Sequence, residues 1–543
     1  MSVTGLDKEP TELAAAEAAP AVPTQPIERR ETRWFARAET AVLIALLVIL
    51  ALGAYFRFVG LNWDDGSHLH PDERFLTIVG SSLSGVDNPL DYLRTSVSTL
   101  NPYNFGQSFY VYGNFPMTVS RYVAEWVTSI CETAANRAGQ RWCDYTYSGY
   151  DGIQLVGRFL SALVDLTSVL LTFLIARRLY NRRAGLFAAL LLATAVMPIQ
   201  QSHFFTMDNW ATAATTLGLY AAVRAATMGD VEPRWRLRWY ALFGVALGLA
   251  AASRVNMAPL ALIINVSAVI WLVRRSQYSV SSKQYSVFSG GNRDLERALL
   301  GVALAAVVSI LTFRVANPYA FSDAQMVREQ AMAETGQPAG AFSVALKSVI
   351  GLNPQFLANM AEIQRLQAPE ASFPPAIQWV DRPAILFPLN NMILYGMGLT
   401  AGLFAWFAVF WALWRMVQKG RRTSEGATHR YTPWQHPEWM LHAIPVAWTL
   451  LYFLFMGTRW VKSVRYFLPV YPALFVLAGW AIAYLWWRAG RAVDSSQLSV
   501  VGEEGQEAGD KGQGATPAAV GRRPSAVAWR RIAVAALALA VAL

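Results

Sequence analysis

Apolar runs long enough to cross a bilayer recur along almost the whole of this chain, and no other feature restricts its fold so tightly. They fall at 41–59, 153–176, 184–202, 209–226, 238–253, 256–273, 297–315, 386–414, 438–456 and 466–487, and a last run begins at Ile532. The hydrocarbon core requires roughly 17 to 25 apolar residues in a helix, and soluble proteins seldom repeat such runs. A membrane solvent also accounts for a composition that is 54% hydrophobic and only 15% charged. The expected fold is an all-α polytopic membrane protein of about ten or eleven transmembrane helices.

The formal charge of +10 does not point to nucleic acid, because the Lys and Arg residues sit in short clusters at the ends of apolar runs. The clusters at Arg177, Arg178, Arg182 and Arg183, at Arg234, Arg236 and Arg238, at Arg274 and Arg275, and at Arg415, Lys419, Arg421 and Arg422 mark cytoplasmic helix ends. With the N-terminus inside, counting crossings returns every cluster to the cytoplasm, provided 238–273 is a helical pair turning outside near Arg254. Two large segments, 60–152 and 316–385, are then external, and function is to be sought there. Residues 1–40 read as a disordered cytoplasmic tail, with no cleavable signal peptide before the first span. Residues 41–488 form the transmembrane module. The near-repeat SQYSVSSKQYSV within 276–293 and the segment 489–530 read as flexible cytoplasmic linkers, and 531–543 as the start of a further span or the cut edge of a longer product. Small-residue stretches such as Gly244 to Ala252 suit close helix packing, within one chain or between chains.

The chain's two cysteines, Cys131 and Cys143, both lie in the first external segment, where an oxidising environment would permit a disulfide. Two free thiols are the other reading.

Directly after the first span comes Asn62-Trp63-Asp64-Asp65-Gly66-Ser67-His68-Leu69-His70-Pro71-Asp72-Glu73-Arg74-Phe75. Asp72 and Glu73 behind Pro71 suit the first turn of a helix. A carboxylate at the membrane surface could equally take the proton of a hydroxyl nucleophile. His68, His70 and Asp72 alternate in a way that would also suit a divalent metal.

This motif and its successors resemble the lipid-linked-sugar-dependent glycosyltransferases of the GT-C fold, in the branch of the protein O-mannosyltransferases and aminoarabinose transferases. That branch carries an Asp-Glu pair followed by a helical stretch in its first external loop, here Asp72-Glu73 in HPDERF. In order after it come Gly157-Arg158-Phe159-Leu160-Ser161-Ala162-Leu163, then Arg177-Arg178-Leu179-Tyr180-Asn181-Arg182-Arg183-Ala184-Gly185, then Asp208 in His203-Phe204-Phe205-Thr206-Met207-Asp208-Asn209. A Gly-rich fifth span leads to Arg254, and Arg465-Tyr466-Phe467-Leu468-Pro469-Val470-Tyr471-Pro472 opens the tenth. The chain departs from the branch in a longer first external segment, around Asn101 to Tyr150, and in Arg rather than Lys at the fifth-to-sixth turn.

The resemblance implies transfer of a sugar from a polyprenyl-phosphate donor to a protein or glycolipid hydroxyl on the extracytoplasmic face of the cell membrane. Asp72 is the expected general base and Glu73 its electrostatic neighbour. Arg459, Lys462 and Arg465 lie in one short external turn against the positive-inside tendency, and with Arg254 they are expected to hold the donor phosphate. Lipid headgroups or loop acids could occupy them instead. Arg158 is expected to steer Asp72 or Asp208 by pairing. Asp208, at the outer start of a span, reads as a supporting acid or a helix-end charge, and His203 as a satisfied interfacial histidine. Asn317-Pro318-Tyr319 and Phe373-Pro374-Pro375 with Trp379, Asp381 and Arg382 suggest a cover at the membrane surface. Three rivals remain: a metal-dependent oligosaccharyltransferase with His68, His70, Asp72 and Asp208 as ligands, a lipid or sugar transporter, and a non-catalytic scaffold. Asp165 stands out as an acid inside a span, where a transporter would carry several.

Overall fold

Each apolar run up to residue 487 is helical, as it must be where no water is present to satisfy peptide groups outside the segment. The computed structural model describes residues 27–138, 143–228, 233–281, 291–370, 374–422, 437–507, 532–537 and 540–541. In order, the helices are α1 (Ile27–Phe58), α2 (Pro71–Ser82), α3 (Asn114–Ala138), α4 (Tyr150–Leu179), α5 (Arg182–Thr194), α6 (Val196–Ser202), α7 (Asp208–Thr227), α8 (Pro233–Ser253), α9 (Ile263–Ser281), α10 (Gly291–Ala316), α11 (Ala324–Thr335), α12 (Ala341–Ile350), α13 (Pro354–Leu366), α14 (Pro374–Ile377), α15 (Leu386–Asn391), α16 (Leu399–Arg422), α17 (Pro437–Gly457) and α18 (Tyr471–Glu507). The chain divides into two units, Met1–Ala45 and Leu46–Leu543, and the second holds all of these helices beyond the first part of α1.

Among the described residues seven helices are long and apolar enough to cross a membrane by length and composition, eight when the bent pair α5–α6 counts as one span, against the ten or eleven expected. α7 and α8 match the expected spans 209–226 and 238–253 in length but are more polar. α7 can be so because Asn209, Thr212, Thr215 and Thr216 are buried against other helices rather than presented to lipid. The span containing α18 is the innermost, 89% buried, whereas that of α10 is 17% buried and peripheral. α18 packs on α5, α5 on α4, α4 on α7, α7 on α8 and α8 on α10. The last contact depends on small residues: a Cβ on Gly248 would lie 2.7 Å from the Ser309 carbonyl of α10. The Gly244 to Ala252 stretch is therefore spent on packing within the chain.

Two expected spans are broken. The run 184–202 bends by 56° between α5 and α6. Its freed carbonyls are met by a charged side chain from another helix: Arg57 donates to Leu192 O at 3.1 Å and Ala193 O at 2.7 Å, and its Nε pairs with Asp165 at 2.6 Å. The acid inside span two is thus neutralised, and its partner holds the helix break. The run 386–414 divides into α15, a π-helical turn over Met392–Gly396 and α16, with Gly398 at φ +83 between them. α18 continues to Glu507, well into the stretch read as linker, because extending a formed helix avoids a new nucleation step. Residues 1–26 of the tail, 282–290 of the repeat segment, 371–373 with Phe373, and 508–531 of the linker lie outside the described residues.

The two long loop segments fold onto one another. Thr95 Oγ1 donates to Phe321 O at 2.7 Å, Ser98 and Tyr319 hydroxyls meet at 2.8 Å, and Gln355 and Asn359 of α13 each donate to Ser108 O at 2.9 Å. Cys131 and Cys143 are joined by a disulfide.

Candidate active site

α2 begins where the sequence predicts a helix to begin. Pro71 occupies the first turn, where its missing N–H costs nothing, and His70 Nδ1 accepts the Glu73 N–H at 3.2 Å. Successive residues on a helix point about 100° apart, so Asp72 and Glu73 face different surroundings.

Glu73 turns inward and is fully buried. Its carboxylate receives Arg158 Nε and Nη2, both at 2.7 Å, and the Phe205 N–H at 2.7 Å. Arg158 also donates to Asp64 Oδ1 and Oδ2 at 3.0 Å and to Leu61 O at 2.8 Å, so all five of its N–H groups are used. The arginine therefore pairs with Asp64 and Glu73, not with Asp72 or Asp208, and through it Glu73 ties α2 to α4. Gly157 makes room for this: a Cβ there would sit 2.2 Å from the Phe205 ring.

Asp72 turns the other way and pairs with Arg465, at the start of the tenth span. Burial would raise its carboxyl pKa, but the charge and hydrogen bond of Arg465, helped by His70 and Arg254, hold it below the usual carboxylate range. Asp208, at the start of α7, pairs with Arg254. The Tyr466 ring lies between the two arginines, 4.4 Å from the Arg254 guanidinium and 5.4 Å from that of Arg465. Two acids and two cations from four distant parts of the chain thus form one half-buried cluster beside His70. Tyr112, whose hydroxyl burial and Asp72 push well up in pKa, belongs to its electrostatic surroundings.

Other expected residues have different settings. Lys462 donates to Trp460 O at 2.9 Å, with burial lowering its ammonium pKa, and Arg459 lies over the Phe455 ring at 4.4 Å. His203 lies with its two ring nitrogens 2.9 Å from Ile199 O and Val59 O, joining α6 to the end of α1 region. The alternating set His68, His70 and Asp72 diverges. His68 is buried against the Tyr150 ring at 4.2 Å, His70 caps α2 and stacks on Phe204 at 4.4 Å, and Asp72 holds Arg465. Among the described residues no group of three or more His, Cys, Asp or Glu is placed to hold a metal ion. The residues do not fit the divalent-metal reading, because the one-residue alternation sends each side chain to a different neighbour.

Sequence reasoning missed Tyr466 and Tyr112 as members of the cluster and Arg57 as the partner of Asp165. Tyr466 could have been found from its place beside Arg465. Tyr112 carried no local signal, since only tertiary folding brings its loop to α2.

The His70 cap makes a testable link to pH. Burial, then Arg465, lower the imidazole below its ordinary value, against Asp72, Glu73 and Asp208, which raise it. The folded chain thus binds this proton less readily than the unfolded one. The cap's stabilisation is complete above about pH 6.5 and is lost as pH falls through the lowered folded value, because a protonated Nδ1 cannot accept from Glu73. Wild-type unfolding midpoints in detergent should fall over that window. His70→Asn, which keeps a capping acceptor, should flatten the profile. A variant profile still as steep as wild type would assign the titration to another group.

With this geometry in view, residues 151–289 match the family model described as dolichyl-phosphate-mannose-protein mannosyltransferase. No curated protein sequence matches the chain. Among solved structures, the chain is similar to the Archaeoglobus fulgidus oligosaccharyltransferase in its apo form, at 13% identity and TM-score 0.48, over 92% of this chain and 55% of that one. It is also similar to ArnT from Cupriavidus metallidurans bound to undecaprenyl phosphate, at 18% identity and TM-score 0.37, over 87% and 69%. The Saccharomyces cerevisiae protein O-mannosyltransferase Pmt1-Pmt2 complex bound to the sugar donor matches at 12% identity and TM-score 0.34, over 52% and 34%. The chain spans little more than half the length of the oligosaccharyltransferase. It is a helical membrane protein whose stretch from α4 to the end of α9 and beyond is similar to the dolichyl-phosphate-mannose-protein mannosyltransferase family.

Proposed function

We propose that this protein transfers a sugar from a polyprenyl monophosphate donor to an acceptor hydroxyl at the extracytoplasmic membrane surface, with inversion. The pairing of Asp72 with Arg465 carries the reading: it places a carboxylate held ionised beside a cation suited to a phosphate. In the reaction the acceptor oxygen attacks the anomeric carbon and its proton passes to Asp72. The bond from that carbon to the phosphate oxygen breaks, and the polyprenyl phosphate leaves with its bonding pair. Arg465 and Arg254 stabilise the negative charge that grows on the phosphate. Glu73 and Arg158 fix α2 so that Asp72 keeps its aim, and Asp208 keeps Arg254 in place.

The test uses the protein in lipid nanodiscs with a panel of polyprenyl-phosphate sugars, following release of free polyprenyl phosphate with and without chelator. Release that requires Asp72 and ignores chelator is expected for one donor class. Release that stops on chelation would favour the oligosaccharyltransferase-like alternative, and no release from any donor would favour transport.

A further inference from the structure

One loop helix has its polarity inverted relative to a helix of a soluble domain. α12 buries Val344 and half-buries Ser343 and Ser348 toward the protein, whereas Phe342, Leu346, Val349 and Ile350 are 81%, 47%, 58% and 59% exposed. These four recur at the spacing i, i+4, i+7, i+8 and so form one continuous stripe. Ala341 and Ala345 widen it, and exposed Lys347 stands at its edge. A stripe of this kind needs a cover.

Its position identifies the cover. The C-terminal end of α12 is tied to the end of the α10 span: Arg314, in the last turn of α10, donates to Ser348 O at 3.3 Å and to Pro318 O at 3.4 Å. Just beyond, Ser322 N donates to Gly351 O at 2.9 Å and Asn353 N to Ala320 O at 2.9 Å. Toward this same end, α10 exposes Ile310, Leu311 and Val315, each more than half accessible, as a lipid-facing span does. The apolar stripe of α12 therefore starts from the end of a span whose outer surface is exposed and apolar, at the level where that span leaves the hydrocarbon.

We propose that α12 is an interfacial helix whose Phe342, Leu346, Val349 and Ile350 seat in the headgroup–acyl boundary of the bilayer, beside the end of α10. Lys347 at the stripe's edge reaches the headgroups. α13 follows directly and holds Ser108 O through Gln355 and Asn359, so the seat fixes the height of the loop that carries Tyr110 and Tyr112 to Phe75 of α2. The inference stands whether or not the chain is a transferase.

The chain's two cysteines are joined in a disulfide, so a cysteine introduced on α12 is a unique thiol. Phe342→Cys, Leu346→Cys and Val349→Cys in the full chain would be nitroxide-labelled in nanodiscs and probed with oxygen and a water-soluble nickel chelate. Leu311→Cys in α10 serves as the lipid-facing reference and Lys347→Cys as the edge position. Oxygen should relax the three α12 labels several-fold more than nickel does, as at Leu311, with the ratio reversed at Lys347. Nickel dominating at all three would place the stripe in water and overturn the proposal. Labels shielded from both agents would mean that a protein surface covers α12, which overturns it equally.

Discussion

Asp72→Asn should cut sugar transfer by about 100-fold or more, the contribution of a lost general base, and should at the same time tighten the hold on polyprenyl monophosphate. The second effect follows from the ion pair. Arg465 is engaged by Asp72, so an arriving phosphate competes with a carboxylate for the same guanidinium. Removing that charge leaves a desolvated cation with its hydrogen-bonding capacity partly free, and a gain of about tenfold in affinity corresponds to only about 1.4 kcal/mol. Binding of the phosphate measured with the inactive variant should therefore exceed that of wild type, and Arg465→Met should lose it. Equal or weaker binding in Asp72→Asn would mean that the phosphate does not use Arg465, whatever the loss of turnover.

The second large effect is on stability. Arg158 lies fully buried between Asp64 and Glu73 with every donor satisfied. Arg158→Met leaves two carboxylates facing one another without a counterion, and breaking a buried pair in this way costs about 3 to 5 kcal/mol. Folded protein recovered in detergent should fall sharply. Glu73→Gln is the milder form, keeping the shape and the Phe205 N–H partner while removing one charge. Its unfolding midpoint should fall along with turnover. A Glu73→Gln protein with wild-type unfolding and slowed catalysis would return Glu73 to the chemistry as a neighbour of Asp72.

Helix positions and the site's raw material were legible from residue order because both have local causes. Bilayer-length runs, the Pro71 start of α2 and the Asp72-Glu73 pair are short-range patterns; the helices lie where the runs were read, except that 184–202 and 386–414 are broken. The partners were not legible. The pattern DE puts two carboxylates side by side in sequence, but a helix turns them about 100° apart, so one becomes an anchor and the other faces the cluster. The alternation of His68, His70 and Asp72 suggested ligands, yet a positive φ at His68 and a helix start at Pro71 separate them. The break at Ala195 was hidden inside an apolar run, because what permits it is Arg57 from α1, far away in sequence.

The sequence by itself determined that this chain lives in a membrane, roughly where its helices lie, and which charged residues stand at their ends, since transfer from water to hydrocarbon depends on composition over a single turn or span. Tertiary structure alone decided which acid meets which cation: Asp72 with Arg465, Asp208 with Arg254, Glu73 and Asp64 with Arg158, and Asp165 with Arg57. A buried charge must find an opposite one, but along a helical chain the candidates are many, and only the packing of the helices fixes which pair comes within hydrogen-bond reach.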